Sequence, residues 1–233
     1  MANEPWRMIR NLFGGLSKEN SQHLAYMRQL QREIAANDIM TMPLKSLNAV
    51  VFDIETTGFY PEKGDQILSI GAVKIRNGEL LVDDSFYTLI HTSKELSEEI
   101  VSLTGINPRD LDEAPQISEA LIQFFKYVKD LPLIAHHSAH EKKFMQQACW
   151  TNFKTPFRHR LFDTSFLYRL VEHEENSIKL EDCCKRQGII VHNRHHALGD
   201  AILTAKLWLK YGQEVEALGC KNMNDVYEML AKK

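Results

Sequence analysis

The run Val50-Val51-Phe52-Asp53-Ile54-Glu55-Thr56-Thr57-Gly58 constrains the fold of this chain more than any other stretch. Ala49 to Phe52 is β-branched and aromatic enough to form a buried central strand, and the run ends in two acids, two threonines and a glycine. Side chains alternate along a strand, so Asp53 and Glu55 point to the same side. Like charges held together are costly unless a cation or a proton lies between them, and hard oxygen ligands of this kind suit Mg²⁺ or Mn²⁺. Two solvated acids at a strand end give the same spacing, and the downstream sequence decides between the readings.

The chain has 233 residues, 44% of them hydrophobic, enough for a full core in one domain with an appendage. A formal net charge of −3 excludes a strongly basic coat, so a nucleic-acid partner has to be held by a local patch and by metal. Cys149, Cys183, Cys184 and Cys220 lack CxxC spacing and are expected to be reduced structural thiols. Near the N-terminus, Trp6, Ile9, Leu12 and Phe13 form no continuous apolar segment of membrane-spanning or signal-peptide length. A cytoplasmic location without a membrane partner is expected.

Residues 1–46 read as a helical extension. Pro5 opens a short helix bearing Trp6, Ile9 and Phe13, Gly14-Gly15 breaks it, and Leu24, Met27, Leu30 and Ile34 repeat at helical spacing on a second. That stripe covers either the body of the chain or a docking partner. Pro43 and the residues around Ser46 read as a linker into a main domain over 47–212, with a C-terminal helical tail over 213–233. Strands are expected at Gln66 to Ile75 and Glu79 to Ile90, joined by the hairpin signal Asn77-Gly78. A short helix follows from Ser97 to Leu103, a longer one from Ile117 to Val128, and a buried strand over Pro132 to Ala135. Further helices are expected at Ala139 to Cys149, from the cap Asp163-Thr164 to Val171, from Lys179 to Arg186, from Ala197 to Tyr211 and around Val226 to Leu230, with a short strand over Arg160 to Phe162. The acidic turn Glu172 to Glu175 reads as a solvated loop. Strands first and helices on both sides later give an α/β three-layer arrangement with a mixed sheet.

The decisive second motif is His195-His196-Ala197-Leu198-Gly199-Asp200, an HxAxxD pattern. Together with VVFDIETTG and Leu103-Thr104-Gly105-Ile106, it makes residues 47–212 resemble a DEDDh 3′-to-5′ exonuclease of the DnaQ-like superfamily, similar to the proofreading exonuclease of bacterial DNA polymerase III. The resemblance implies a ribonuclease H-like fold and hydrolysis of a terminal phosphodiester, releasing nucleoside 5′-monophosphates. Such a bond resists attack because it is anionic and its leaving alkoxide is poor. Two divalent cations stabilise the attacking and leaving oxygens. Asp53 is placed to bridge both Mg²⁺ or Mn²⁺ ions, with Glu55 and Asp200 completing one of them. Asp200 also falls in the first turn of a helix, where the dipole favours an acid. His195, on the loop before that helix, is the expected general base, rather than His196 or His192.

At the fourth acid the chain departs from the family pattern. Where relatives show HNAxFD, it has His136-His137-Ser138-Ala139-His140-Glu141, which aligns Glu141 with the expected aspartate as a ligand of the second ion. A second departure is Ser69, where many relatives carry an acid. Zinc on His136 and His140 carries little weight, because no HExxH follows. The resemblance places Thr56, Thr57 and Gly58 at the substrate 3′ end and makes Leu103, Thr104 and Ile106 the element that wedges against the terminal base. Lys142, Lys143, Lys154, Arg158 and Arg160 suggest a phosphate-facing patch. The expected partner is a single-stranded nucleic-acid 3′ end, DNA favoured over RNA, with an exoribonuclease as the nearest rival. A rival of another class is a binding module with a weakened site. A polymerase partner could dock through residues 1–46 or the C-terminal helix.

Overall fold

A computed structural model describes residues 18–35, 38–173 and 178–232. The helix expected after Pro5 lies outside them, as do Glu174 and Glu175 of the acidic turn. The centre is a five-stranded mixed sheet ordered β3-β2-β1-β4-β5, formed by β1 (Ala49–Thr56), β2 (Ile67–Arg76), β3 (Glu79–Leu89), β4 (Leu133–Ala135) and β5 (Leu161–Asp163). The first three strands form the expected antiparallel meander, and β4 and β5 then add in parallel to β1.

Alternation along β1 divides the core in two. Val50, Phe52 and Ile54 face one layer with Met27, Leu30, Ile34, Leu121, Phe124, Phe125 and Met145. These come from α1 (Lys18–Ala35), α4 (Ile117–Val128) and α5 (Ala139–Phe153). Ala49 and Val51 face the opposite layer with Leu167, Cys183, Leu203 and Leu207, from α6 (Ser165–Val171), α7 (Leu180–Arg186) and α8 (Ala197–Ala217). Two short helices, α2 (Glu98–Thr104) and α3 (Pro108–Asp112), set Leu111 of α3 and Ile106 of the connection between them against Leu68, and α9 (Met223–Ala231) is the last helix. Each fully buried Leu or Phe in these layers contributes roughly 1.5–3 kcal/mol of transfer free energy. The fold is the expected ribonuclease H-like α/β arrangement.

The apolar stripe of α1 covers this chain's own body, since Met27, Leu30 and Ile34 are buried in its core. The segment at Pro43, expected as a linker, is tied to residues near the C-terminal helix. Pro43 bridges Asn222, the Leu44 N–H donates to the Lys221 carbonyl at 2.8 Å, and Leu44–Ser46 forms a 3₁₀ turn. Helix α8 runs on to Ala217, past the expected end at Tyr211.

The same alternation places the acids. Asp53 and Glu55 share the parity of Ala49 and Val51, so they project toward the layer that contains α8. Asp53 is paired with Gly71 on β2, where a Cβ would lie 2.0 Å from the Leu198 backbone nitrogen. The absence of that Cβ lets the first turn of α8 press onto the sheet beside Asp53.

Candidate active site

That contact delivers Asp200, in the first turn of α8, onto the strand acids. One carboxylate oxygen from each of Asp53, Glu55 and Asp200 lies within 4.8 Å of the others. They line a cleft of roughly 450 Å³ with His136, His140, Glu141, Lys179, Glu181, Arg194 and His195. Glu141 comes from the first turn of α5 and is buried. Its Oε2 and the Asp200 Oδ1 are buried without a hydrogen-bond partner among the described residues.

Electrostatics follow from this crowding. Burial, then the charges of Glu141, Asp200 and Glu55, push Asp53 well above the usual carboxylate range. Burial and Asp200 raise Glu55 to about 7, and burial raises Glu141 to about 8, with Asp163 and Glu55 adding to the effect. The neighbouring Arg194 acts in the opposite direction on Asp53 and Glu55. Asp163 behaves differently although it is nearby. Its carboxylate accepts N–H bonds from Ser138 at 2.7 Å, Ser165 at 2.8 Å and His137 at 3.3 Å, and these hold its pKa low despite burial. Asp163 thus ties the starts of α5 and α6 together, whereas Thr164 supplies no side-chain cap.

The histidines separate by position. His195 has φ 59° on the loop before α8 and lines the cleft. His196 is the N-cap of α8, accepting the Gly199 N–H at 3.4 Å, with its ring stacked on Tyr87 at 4.5 Å. His136 pairs with Thr164 Oγ1 at 2.6 Å and the Ile178 carbonyl at 3.0 Å, and His137 reaches that carbonyl at 2.8 Å. Both ring nitrogens of His136 are therefore engaged. The His140 Nε2 lies 3.3 Å from Thr56 Oγ1.

The expected substrate residues are divided among several places. Thr56 Oγ1 donates to the Gly58 carbonyl, and Thr57 Oγ1 accepts the Gln66 N–H. A Cβ at Gly58 would lie 2.4 Å from an Asp65 carboxylate oxygen, so a larger residue there would have to move that side chain. Leu103 is 51% exposed, whereas Ile106 is buried and Thr104 holds the end of α2 through Ile100 and Ile106. Lys142 does not line the acid cleft. With Arg158 and Arg160 it faces a separate groove against α1. The charge of Lys143 acts on His140, and Lys154 is the left-handed C-cap of α5.

The family model for exonucleases of the RNase T type matches residues 50–208. The chain belongs to this exonuclease family. It is a DnaQ-like nuclease, a hydrolase. Among curated relatives, the PolC-type DNA polymerase III of Staphylococcus haemolyticus is 32% identical over 188 residues, and that of Staphylococcus aureus likewise. The match covers 81% of this chain, which spans 13% of the length of those relatives. In fold, the exonuclease is similar to the nuclease domain of 3′hExo, a DEDDh family member bound to rAMP. The TM-score there is 0.63 at 23% identity, covering 72% of this chain and 92% of that one. It is also similar to E. coli exonuclease I in complex with a dT13 oligonucleotide, with a TM-score of 0.63 at 17% identity, covering 74% of this chain and 42% of that one.

The exonuclease family uses divalent metal ions, and the donor set fits them. The converging atoms are carboxylate oxygens, the ligands that hard dications take, and two buried carboxylate oxygens have no other partner among the described residues. Sequence reasoning missed Arg194 and Glu181. The Arg194 Nη1 donates to Asp200 Oδ2, and its Nη2 donates to Glu181 Oε2 at 3.1 Å. The place of Arg194, directly before His195, was the available signal. Among the described residues no helix is long and apolar enough to cross a membrane.

A stability prediction follows from the raised acids. With folded pKa values of about 7 and 8 for Glu55 and Glu141, against roughly 4.3 for an unfolded glutamate, the native state holds more protons between those limits. Stability of the metal-free chain therefore falls as pH rises through that window. In chelator, the thermal midpoint is expected to drop by on the order of 5 °C between about pH 5 and about pH 8. Mg²⁺ or Mn²⁺ should restore it at the higher pH by binding the native state. Differential scanning calorimetry checks this, and a midpoint that rises over the same range contradicts it.

Proposed function

We propose that this chain is a metal-dependent 3′-to-5′ exonuclease that hydrolyses the terminal phosphodiester of single-stranded DNA and releases nucleoside 5′-monophosphates. The observation that carries the reading is the convergence of Asp53, Glu55 and Asp200 within 4.8 Å in a cleft also lined by Glu141 and His195. Asp53, Glu55, Asp200 and Glu141 would hold two divalent ions, Mg²⁺ or Mn²⁺. The ions, when bound, neutralise the phosphate and stabilise the attacking and leaving oxygens.

The chain's own groups orient the reaction. His195 takes a proton from the attacking water, whose oxygen bonds to phosphorus as the bond to the 3′ oxygen of the penultimate nucleotide breaks. That oxygen takes a proton from solvent and becomes the new 3′ hydroxyl. Thr56, Thr57 and Gly58 hold the terminal sugar at the end of β1. The exposed Leu103 and Phe59 offer apolar surface for an unpaired base. The PolC-type relatives support work at replicating or repaired DNA ends, with a polymerase as partner.

Preference for the sugar is tested with single-stranded DNA and RNA of identical sequence, competed in one reaction with Mg²⁺. DNA is expected to be shortened at least roughly tenfold faster, a difference of about 1.4 kcal/mol in the barrier. Faster loss of RNA means that the enzyme is an exoribonuclease with the same site chemistry.

A further inference from the structure

We propose that Arg194 is a built-in counter-ion of the acid cluster, and that divalent metal binds by displacing its guanidinium from Asp200 onto Glu181. The inference rests on reading the cluster as a metal site. Arg194 is poised between two acids on different helices: Asp200 in the first turn of α8 and Glu181 in the first turn of α7. It is the guanidinium lining the cleft that contains Asp53, Glu55 and Glu141. The backbone aims it there through two uncommon conformations, Asn193 at φ 52° and His195 at φ 59°, which L-residues adopt sparingly. The Asn193 carbonyl is seated where a Cβ on Gly199 would be, 2.3 Å away, so the loop is locked against the start of α8.

A cation in this place does two opposed things. It offsets the repulsion among acids that burial makes costly, favouring their charged form. It also opposes any dication that arrives: metal taken up by Asp200 through its free Oδ1 sets a second positive charge against the guanidinium on Oδ2. Glu181 resolves the conflict, because it lies outside the trio of converging acids and already accepts one arm of the guanidinium. As Asp200 takes up metal, Arg194 keeps a partner and is not left as an unpaired, half-buried charge. Lys179 lines the same cleft but bonds no member of the acid cluster among the described residues, which makes it the natural control for a general field effect.

The test is isothermal titration calorimetry of Mn²⁺ into the full chain and into Arg194→Gln, Arg194→Lys and Lys179→Gln, without substrate. Arg194→Gln is expected to bind Mn²⁺ about tenfold more tightly than the parent, the size of effect that a neighbouring charge exerts on a carboxylate. Arg194→Lys, which keeps the charge but cannot bridge both acids, is expected to fall between them and keeps the test decisive if the glutamine variant does not fold. Lys179→Gln should change the affinity less than roughly threefold, the screened effect of a charge without a direct contact. Unchanged or weaker binding in Arg194→Gln overturns the proposal, as does an equal gain in Lys179→Gln. A parent and variants that all bind no Mn²⁺ sink the metal-site reading itself, whereas binding that ignores Arg194 sinks only the counter-ion.

Discussion

Asparagine in place of Asp53 is expected to lower nucleotide release by roughly 10³-fold or more, because metal-based charge stabilisation contributes several kcal/mol to such a barrier. The carboxylate lies on a rigid strand, paired in register with Gly71, so the substitution leaves the sheet intact. Stability should move in the opposite direction to activity. Asp53 is a half-buried acid whose charged form is opposed by desolvation and by three neighbouring carboxylates, and removing its charge relieves that cost. In chelator near pH 8, Asp53→Asn is therefore expected to melt at or above the parent temperature. Loss of activity with lost stability would mean that Asp53 serves the fold, contrary to its assigned role.

His195→Gln is expected to reduce turnover by roughly 10²- to 10⁴-fold, the range for removal of a positioned general base. Metal binding should survive, since the acids remain in place. His196→Gln supplies the contrast. His196 caps α8 and stacks on Tyr87, so its replacement is expected to cost about 1 kcal/mol of stability, as for loss of an N-cap, with turnover changed far less. Rate measurements on both variants, paired with calorimetric metal titration, separate the roles. Equal losses of turnover in the two would remove the distinction between them.

Much of this site was legible in the sequence, for identifiable reasons. Val50 to Phe52 reads as a buried strand because both faces of β1 are covered, and period-2 alternation then puts Asp53 and Glu55 together. Asp200 and His195 are found through a contiguous motif. Arg194 and Glu181 are harder, because their pairing joins α7 to the loop before α8 and no local pattern announces it. Helix α8 continues past the expected end at Tyr211 although Gly212 follows. Within a helix it costs only about 1 kcal/mol, and the buried Tyr211 and Val215 on either side of it outweigh this. Helix α3 escaped notice because it is five residues long and depends on the Asn107 side chain accepting the Arg109 N–H. The lysines illustrate a general difficulty. Lys142 and Lys143 are adjacent in sequence, yet a helix turns them onto different faces, and only Lys142 lines the groove against α1.

Of the departures from the family pattern, Glu141 is accommodated by burial in the first turn of α5, with one oxygen left without a partner among the described residues. Ser69 lies across from Glu55 in the β1–β2 register. Replacing an acid there by serine removes a further negative charge from beside a carboxylate that already titrates high.

The most direct measurement is product analysis on one single-stranded DNA oligonucleotide, labelled at its 3′ end in one preparation and at its 5′ end in another, with Mg²⁺, with Mn²⁺ and with chelator. The expected result is immediate release of the 3′ label as a mononucleotide, a 5′-labelled ladder that shortens step by step, and neither in chelator. Release from the 5′ end, internal cutting, or hydrolysis that persists in chelator would contradict a carboxylate-held metal site acting on 3′ ends.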